Sequence, residues 1–240
     1  MMLKLVGQIK TLRSLPKLSV DLRYSETAEN EDFFRRYALG FYKQTQRRHP
    51  KFPVVKAMTY GAAIKVLEGD FETYYMSLDG AARRNHKKAL RKGYVARRID
   101  FNTHLDDVRA ILASAAVRQG REMPERLRKG EISENTNPAS NNDIHDYPFY
   151  GTLLDDRLVA YTGCFVCGEI CMIETIYGHA DFQSDGVVPM AIIEGARHVM
   201  ENYPGVKYYM YGTTYGASDS LRRFKKKFRF MPTKVKWVLG

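Results

Sequence analysis

Tryptophan, cysteine and long apolar runs are the scarce features of this sequence. There is one tryptophan in 240 residues and there are three cysteines. No stretch approaches the ~18 apolar residues that a transmembrane helix needs, so no such helix and no stable membrane insertion is expected. The opening residues Met1–Gly7 have too short an apolar run for a secretory leader. Lys4, Lys10, Arg13 and Lys17 instead make a basic amphipathic lead-in, with a weak membrane-surface contact as one option. Cysteines 164, 167 and 171 lie close together, one ligand short of a closed four-thiolate site, and no histidine is spaced to complete it. They read more simply as small strand residues, and no metal is expected. Their odd number favours a reducing, cytoplasmic compartment.

Acidic residues are also in the minority. Lys and Arg total 38 against 27 Asp and Glu, for a net charge of +11. Such a balance points to anionic partners: phosphorylated cofactors, nucleic acid or acidic lipid. Hydrophobic content of 44% and charged content of 27% are ordinary for a globular protein.

The pattern along the chain gives an α/β (α+β) order. Residues 1–28 look irregular or marginally helical. Phe33, Phe34, Tyr37, Ala38, Phe41 and Tyr42 recur at helical spacing, predicting a helix over 30–48 that His49-Pro50 and Pro53 end. Strands are expected over 54–60 and 62–67. Ser77-Leu78-Asp79 caps a helix to about Lys92, with Gly93 closing it. Arg83, Arg84, Lys87, Lys88, Arg91 and Lys92 crowd that helix with cations. A strand over 94–101 and a helix from Asn102 or Thr103 through Arg118 follow, then another helical turn over 124–129. Residues 131–147 read as a long polar loop. Strands over 150–154 and 158–166, turning at Asp155-Asp156, lead into a strand over 170–177.

The last third carries the chemistry. A strand over 172–177 runs through Gln183-Ser184-Asp185-Gly186-Val187-Val188 into a helix opening at Pro189. Its apolar stripe is Ile192, Ile193, Ala196, Val199 and Met200, so the helix packs on a sheet. A glycine turn entering a helix N-terminus aims free N–H groups and the positive end of the dipole at an anion. Gly186 is expected to let a ligand approach the backbone, with the N–H groups of Gly186, Val187 and Val188 cradling phosphate. A strand over 207–211, a basic helix over 218–228 and a closing strand over 233–239 complete the chain. Phe224, Phe228 and Phe230 point inward. Lys225, directly after an anchoring aromatic, is placed to reach an anion or a developing oxyanion.

This order of elements resembles the GCN5-related N-acetyltransferase (GNAT) fold, and is most similar to its FemABX-like branch, whose members transfer acyl or aminoacyl groups to amines. The matching residues are Gly178–Asp181 leading to Gln183–Pro189, then Tyr209–Gly212, then Phe224-Lys225-Lys226-Lys227-Phe228. Ser77–Gly93, with its Arg83-Arg84-Asn85-His86-Lys87-Lys88-Ala89 core, resembles the basic helix that precedes such domains. The resemblance covers roughly Phe71 to Leu239, which makes 71–240 the acyltransferase-like domain and 1–70 an N-terminal helical extension or partial subdomain. It implies a mixed, mostly antiparallel central sheet flanked by helices, and an acyl donor site at Tyr177, Gly178, Gln183, Gly186, Val187 and Val188. Val188 stands where the family's pyrophosphate pattern has a small residue. Lys225 stands near the position of the family's catalytic tyrosine.

The implied activity is acyl transfer from acyl-CoA to an amine by direct attack. An aminoacyl-tRNA donor is the alternative within the fold, and a non-catalytic nucleic-acid or acidic-membrane binder is the alternative outside enzymes. Glu174, the one charge in the mostly apolar stretch 171–177, is the general-base candidate: burial there would raise its pKa toward a useful range, and the alternative is that it faces solvent on a strand edge. His179 and Asp181 are alternatives to it. Tyr211 and Tyr215 are candidate proton donors. Arg118 and Arg121 are candidates to hold a carboxylate or phosphate of the acceptor.

Overall fold

The computed structural model describes residues 14–27, 31–49, 56, 58–118, 121–140 and 142–240, with no side-chain description at Arg121. The lead-in before residue 14 and the expected strand over 54–60, apart from Lys56 and residues 58–60, lie outside the described residues.

Strands are β1 (Lys17–Asp21), β2 (Tyr60–Val66), β3 (Val95–Ile99), β4 (Val117–Arg118), β5 (Arg121–Glu122), β6 (His145–Asp146), β7 (Phe149–Leu154), β8 (Arg157–Cys167), β9 (Ile170–Gly178), β10 (Tyr208–Thr213) and β11 (Met231–Val238). Helices are α1 (Asp32–Gln46), α2 (Phe71–Ser77), α3 (Gly80–Arg91), α4 (Leu105–Ala113), α5 (Glu125–Arg128), α6 (Val187–Asn202) and α7 (Asp219–Lys227). One nine-stranded sheet runs in the order β1-β11-β2-β10-β9-β8-β7-β3, with β6 on β8. Pairing is antiparallel except at β1–β11 and β9–β10. The expected mixed, mostly antiparallel sheet is therefore present.

Local sequence explains these elements. Asp155 and Asp156 both take positive φ, 49° and 61°, forming the two-residue turn that matches the twist of β7 and β8. Asp79 caps α3 by accepting from Ala81 N at 2.8 Å, and Gly93 follows its end at φ 83°. Ser218 caps α7 by accepting from Leu221 N. The expected long helix to Arg118 is cut short. It ends at Ala113, and Val117–Arg118 turns into a hairpin with Arg121–Glu122.

Helices cover both faces of the sheet. α1 buries Phe34, Ala38, Phe41 and Thr45, one stripe at helical spacing, against one face. Phe41 meets Trp237 edge-on with centroids 5.2 Å apart, and Tyr37 meets Phe165 at 4.5 Å. α6 buries Ile192, Ile193, Ala196 and Val199 against Tyr150, Cys164, Cys171, Ile173 and Tyr209 on the other face. With both faces covered, β8 is buried from Leu158 to Cys167. The three cysteines are free, buried strand residues, and burial pushes the Cys167 and Cys171 thiols up.

Residues 17–21, expected to be irregular or helical, form β1 instead. Leu18 packs against the α1-side core and Val20 is buried within it. The strand is held by parallel pairing to β11, more than two hundred residues later in the chain.

Candidate active site

The site begins where two neighbouring strands separate. β9 and β10 pair in parallel at Ile170–Tyr208, Cys171–Tyr209 and Met172–Met210, and the ladder stops there. Both strands are irregular at that level. The β8–β9 register jumps from Cys164–Ile173 to Gly163–Thr175, leaving Glu174 as an extra residue. The β10–β2 register jumps between Met210 and Thr213, leaving Tyr211 and Gly212 unmatched. Bulges of this kind bend strands and re-aim side chains. Between the parted strands lies a cleft of about 760 Å³, closed around by the N-terminus of α6, the inner face of α3, the β4–β5 hairpin and α7. Past Met172, the β10-facing edge of β9 has no strand partner among the described residues.

Glu174 sits on one wall, at the bulge. It is exposed, so of the two positions the sequence allows, buried in the strand or facing solvent, the structure has the second. Its extra position on the bulged strand turns it out of the core. Oε2 accepts from the Tyr37 hydroxyl at 2.5 Å and from the Tyr147 hydroxyl at 2.7 Å. Burial and the adjacent carboxylate push both tyrosines above the ordinary phenol range, so each keeps the proton it donates.

Gly178 ends β9. Its carbonyl accepts from Arg118 Nη1 at 2.7 Å and, at the limit of reach, from Gln183 Nε2 at 3.5 Å. Arg118 also donates through Nη2 to the Ile111 carbonyl and to Ser114 Oγ, and its guanidinium lies 5.6 Å from the centroid of the Tyr177 ring. Burial lowers its pKa. Arg118 thus ties the end of β9 to α4. The side chain of Arg121 lies outside the described residues, as do residues 119 and 120. His179 accepts from Asp181 N at 3.4 Å, capping the turn after the strand.

Gly186 has φ 89°, the left-handed region, as a turn glycine should. What approaches it is the protein itself. A Cβ there would sit 2.3 Å from the Asn85 carbonyl oxygen of α3. Its N–H is bonded to the Gln183 carbonyl at 3.2 Å. The expectation that Gly186 opens the backbone to a ligand is therefore corrected: the missing side chain lets α3 cross the turn. Asp185 fixes that crossing, accepting from Lys92 Nζ at 2.6 Å and the Tyr94 hydroxyl at 3.0 Å. The Lys92 bond holds the Asp185 carboxyl below the usual range. Val187 is buried. Val188 faces the cleft, and a Cβ at Gly178 would meet its Cγ2 at 2.5 Å. The first-turn N–H groups of α6 at Val187 and Val188 have no partner within the helix by geometry.

Lys225 forms the opposite wall. It is 4% exposed, yet it lines the cleft. Nζ donates to the Thr213 carbonyl at 2.8 Å and lies 4.7 Å from the centroid of the Tyr211 ring. Burial lowers its pKa to about 8. Tyr211 packs against Phe224 and Phe230 and also lines the cleft. Tyr215 is 40% exposed and covers Gly61, where a Cβ would meet its ring at 2.2 Å.

The structure thus brings Glu174, Tyr177, Gly178, Gln183, Val188, Tyr211, Lys225 and Arg118 to one cleft. Gly186 and Val187 lie directly behind it, under α3. Sequence reading missed Tyr37, Tyr147 and Asn85. Tyr37 belongs to the apolar stripe of α1, where its ring packs, and only its hydroxyl reaches Glu174.

No protein-family model and no curated protein matches the chain. Solved structures are similar to it in fold. FemX superposes with a TM-score of 0.55 at 10% identity, over 73% of this chain and 60% of its own. The C-terminal domain of a putative lysylphosphatidylglycerol synthetase from Agrobacterium fabrum gives 0.47 at 13% identity, over 73% and 58%. The PaiA N-acetyltransferase of Thermoplasma acidophilum, solved with coenzyme A, gives 0.44 at 11%, over 55% and 87%. This chain spans 58% of the synthetase domain and 60% of FemX. The fold is a GNAT-like mixed sheet flanked by helices, similar to that of FemX.

Proposed function

We propose that the protein is an acyltransferase that moves an acyl group from an activated carrier to an amine by direct attack. The observation that carries this reading is the parting of β9 and β10 at two bulges, with Glu174 and Lys225 on opposite walls of the resulting cleft. The fold alone does not define an activity, so the argument rests on these groups.

The donor carbonyl lies along the unpaired edge of β9, where backbone N–H groups polarise it. Glu174 takes the proton that the amine loses as its nitrogen attacks. The new C–N bond forms, the carrier's C–S or C–O bond breaks, and Tyr211 supplies a proton to the departing sulfur or oxygen. Lys225, protonated below about pH 8, offsets the negative charge on the carbonyl oxygen during the step. Arg118 keeps the end of β9 in place for that carbonyl.

Acyl-CoA is the donor we assign first. Its phosphates meet the first-turn N–H of Val188, the residue of that turn that faces the cleft, and the cations of α3. A specific observation favours the second donor, an aminoacyl-tRNA: α3 lies across Gly186, where a pyrophosphate would otherwise meet the turn. The cations instead face solvent: Arg84, Lys87 and Arg91 of α3 and Arg222, Arg223, Lys226 and Lys227 of α7 are all exposed. Bonds from Asp79 N to the Lys227 carbonyl and from Arg229 Nε to the Ser77 carbonyl join the two helices. Direct binding of acetyl-CoA and of total aminoacyl-tRNA, each across a salt series, separates the donors. A steep loss of affinity with salt assigns the RNA donor, and a shallow one the CoA donor. Failure to bind either, with no transfer, removes the acyltransferase reading and leaves a binding protein.

A further inference from the structure

The wall that carries Glu174 differs in chemistry from the wall that carries Lys225. Both tyrosine bonds fall on Oε2 of Glu174, leaving Oε1 without a partner among the described residues. Around that carboxylate the rings form a connected set. Tyr37 stacks on Phe33 with centroids 5.6 Å apart, meets Tyr147 edge-on at 5.8 Å, and Tyr147 lies 5.5 Å from Phe149. Each of these four residues is half-buried, so part of every side chain remains accessible. Glu122, on the β4–β5 hairpin, adds a second exposed carboxylate to the same cleft. Arg118, beside it, already has its guanidinium committed to Gly178, Ile111 and Ser114.

An exposed carboxylate among aromatic side chains suits an organic cation, through charge pairing and the ring quadrupole together. It is poorly suited to a molecule whose amine is accompanied by a carboxylate or phosphate. We propose that the acceptor is an aliphatic ammonium compound without an acidic group near its nitrogen. Glu174 Oε1 receives it, and Tyr37 and Tyr147 act as positioning residues that fix the carboxylate. Its role as the acceptor rests on the acyl-transfer reading; the ammonium site itself does not.

The test is equilibrium binding to the full chain, read by calorimetry, with tetramethylammonium, n-butylamine and γ-aminobutyrate. Tetramethylammonium and n-butylamine bind, and γ-aminobutyrate binds more weakly than n-butylamine. Glu174→Gln, isosteric and exposed, weakens both cations by roughly tenfold or more. Tyr37→Leu weakens tetramethylammonium by roughly two- to fivefold through loss of the ring. Tyr147→Phe keeps the ring and retains tetramethylammonium binding better than Tyr147→Leu does. The proposal is overturned if γ-aminobutyrate binds as tightly as n-butylamine, or if Glu174→Gln leaves both cations unchanged. Tetramethylammonium has no N–H to acylate. Binding of it with no transfer from any donor therefore sinks the acyltransferase reading and leaves the ammonium site standing.

Discussion

Lys225→Met separates what this lysine does to the fold from what it does in the cleft. Lys225 is 4% exposed, and burial lowers its pKa from 10.5 to about 8. The unfolded chain therefore holds this proton more tightly than the folded one. At ~1.36 kcal/mol per pH unit, the difference costs the fold about 3 kcal/mol at pH 7. The cost is fully present below about pH 8. It diminishes as pH rises from there and is nearly gone at pH 10.5. Methionine is unbranched, of similar length and carries no proton. Losing the bond to the Thr213 carbonyl costs about 1 kcal/mol, and losing the contact with the Tyr211 ring about as much. Other packing changes are common to every pH and cancel in the comparison. Urea unfolding of both proteins, followed by circular dichroism, is the assay. Relative to wild type, the variant should be about 3 kcal/mol more favoured at pH 7 than at pH 10.5. A stability difference that stays constant across that range refutes the burial argument.

Gly186→Ala should lower the melting temperature markedly. The positive φ alone costs about 1–2 kcal/mol, and the added Cβ would press on the Asn85 carbonyl. Bulky substitution there therefore tests the α3–α6 crossing and not a ligand site. Asp185→Asn should cost about 2 kcal/mol at neutral pH, measured by urea unfolding, because a charged partner of Lys92 is lost. The folded-state pKa of Asp185 lies below its unfolded value. Wild type thus gains stability above the ordinary carboxylate range and loses it as pH falls through the folded value, and the variant lacks that dependence. Arg118→Lys, which cannot reach Gly178, Ile111 and Ser114 together, should reduce transfer at saturating substrate while leaving donor affinity nearly unchanged.

Much of the fold was written locally. The turn at Asp155-Asp156, the caps at Asp79 and Ser218, and the apolar stripe of α6 are short-range signals, and each produced its element. β1 was hidden because its partner is β11, and five residues with modest alternation do not announce a distant parallel neighbour. The site was legible in part for the same reason. Lys225, Tyr211 and Gln183 stood beside motifs with a mechanical meaning, and the structure gathers them at one cleft. Sequence left the exposure of Glu174 open, because a one-residue bulge decides it and the register of that bulge is set by pairing with β8. The role of Asn85, whose carbonyl meets Gly186 across about a hundred residues of chain, was not legible. Pattern gives a residue's face, while register and helix crossing decide what that face meets.

The central claim is that Glu174 and Lys225 act across the cleft on one acyl transfer. The most direct measurement is transfer of a labelled acyl group, from acetyl-CoA and from aminoacyl-tRNA, to an aliphatic amine by the wild-type chain, Glu174→Gln and Lys225→Met. The account predicts transfer from one of the two donors by the wild type, falling as pH rises through about 8, and a loss of roughly a hundredfold or more in each variant with the fold retained. Wild-type rates retained in both variants, or no transfer from either donor, would contradict it.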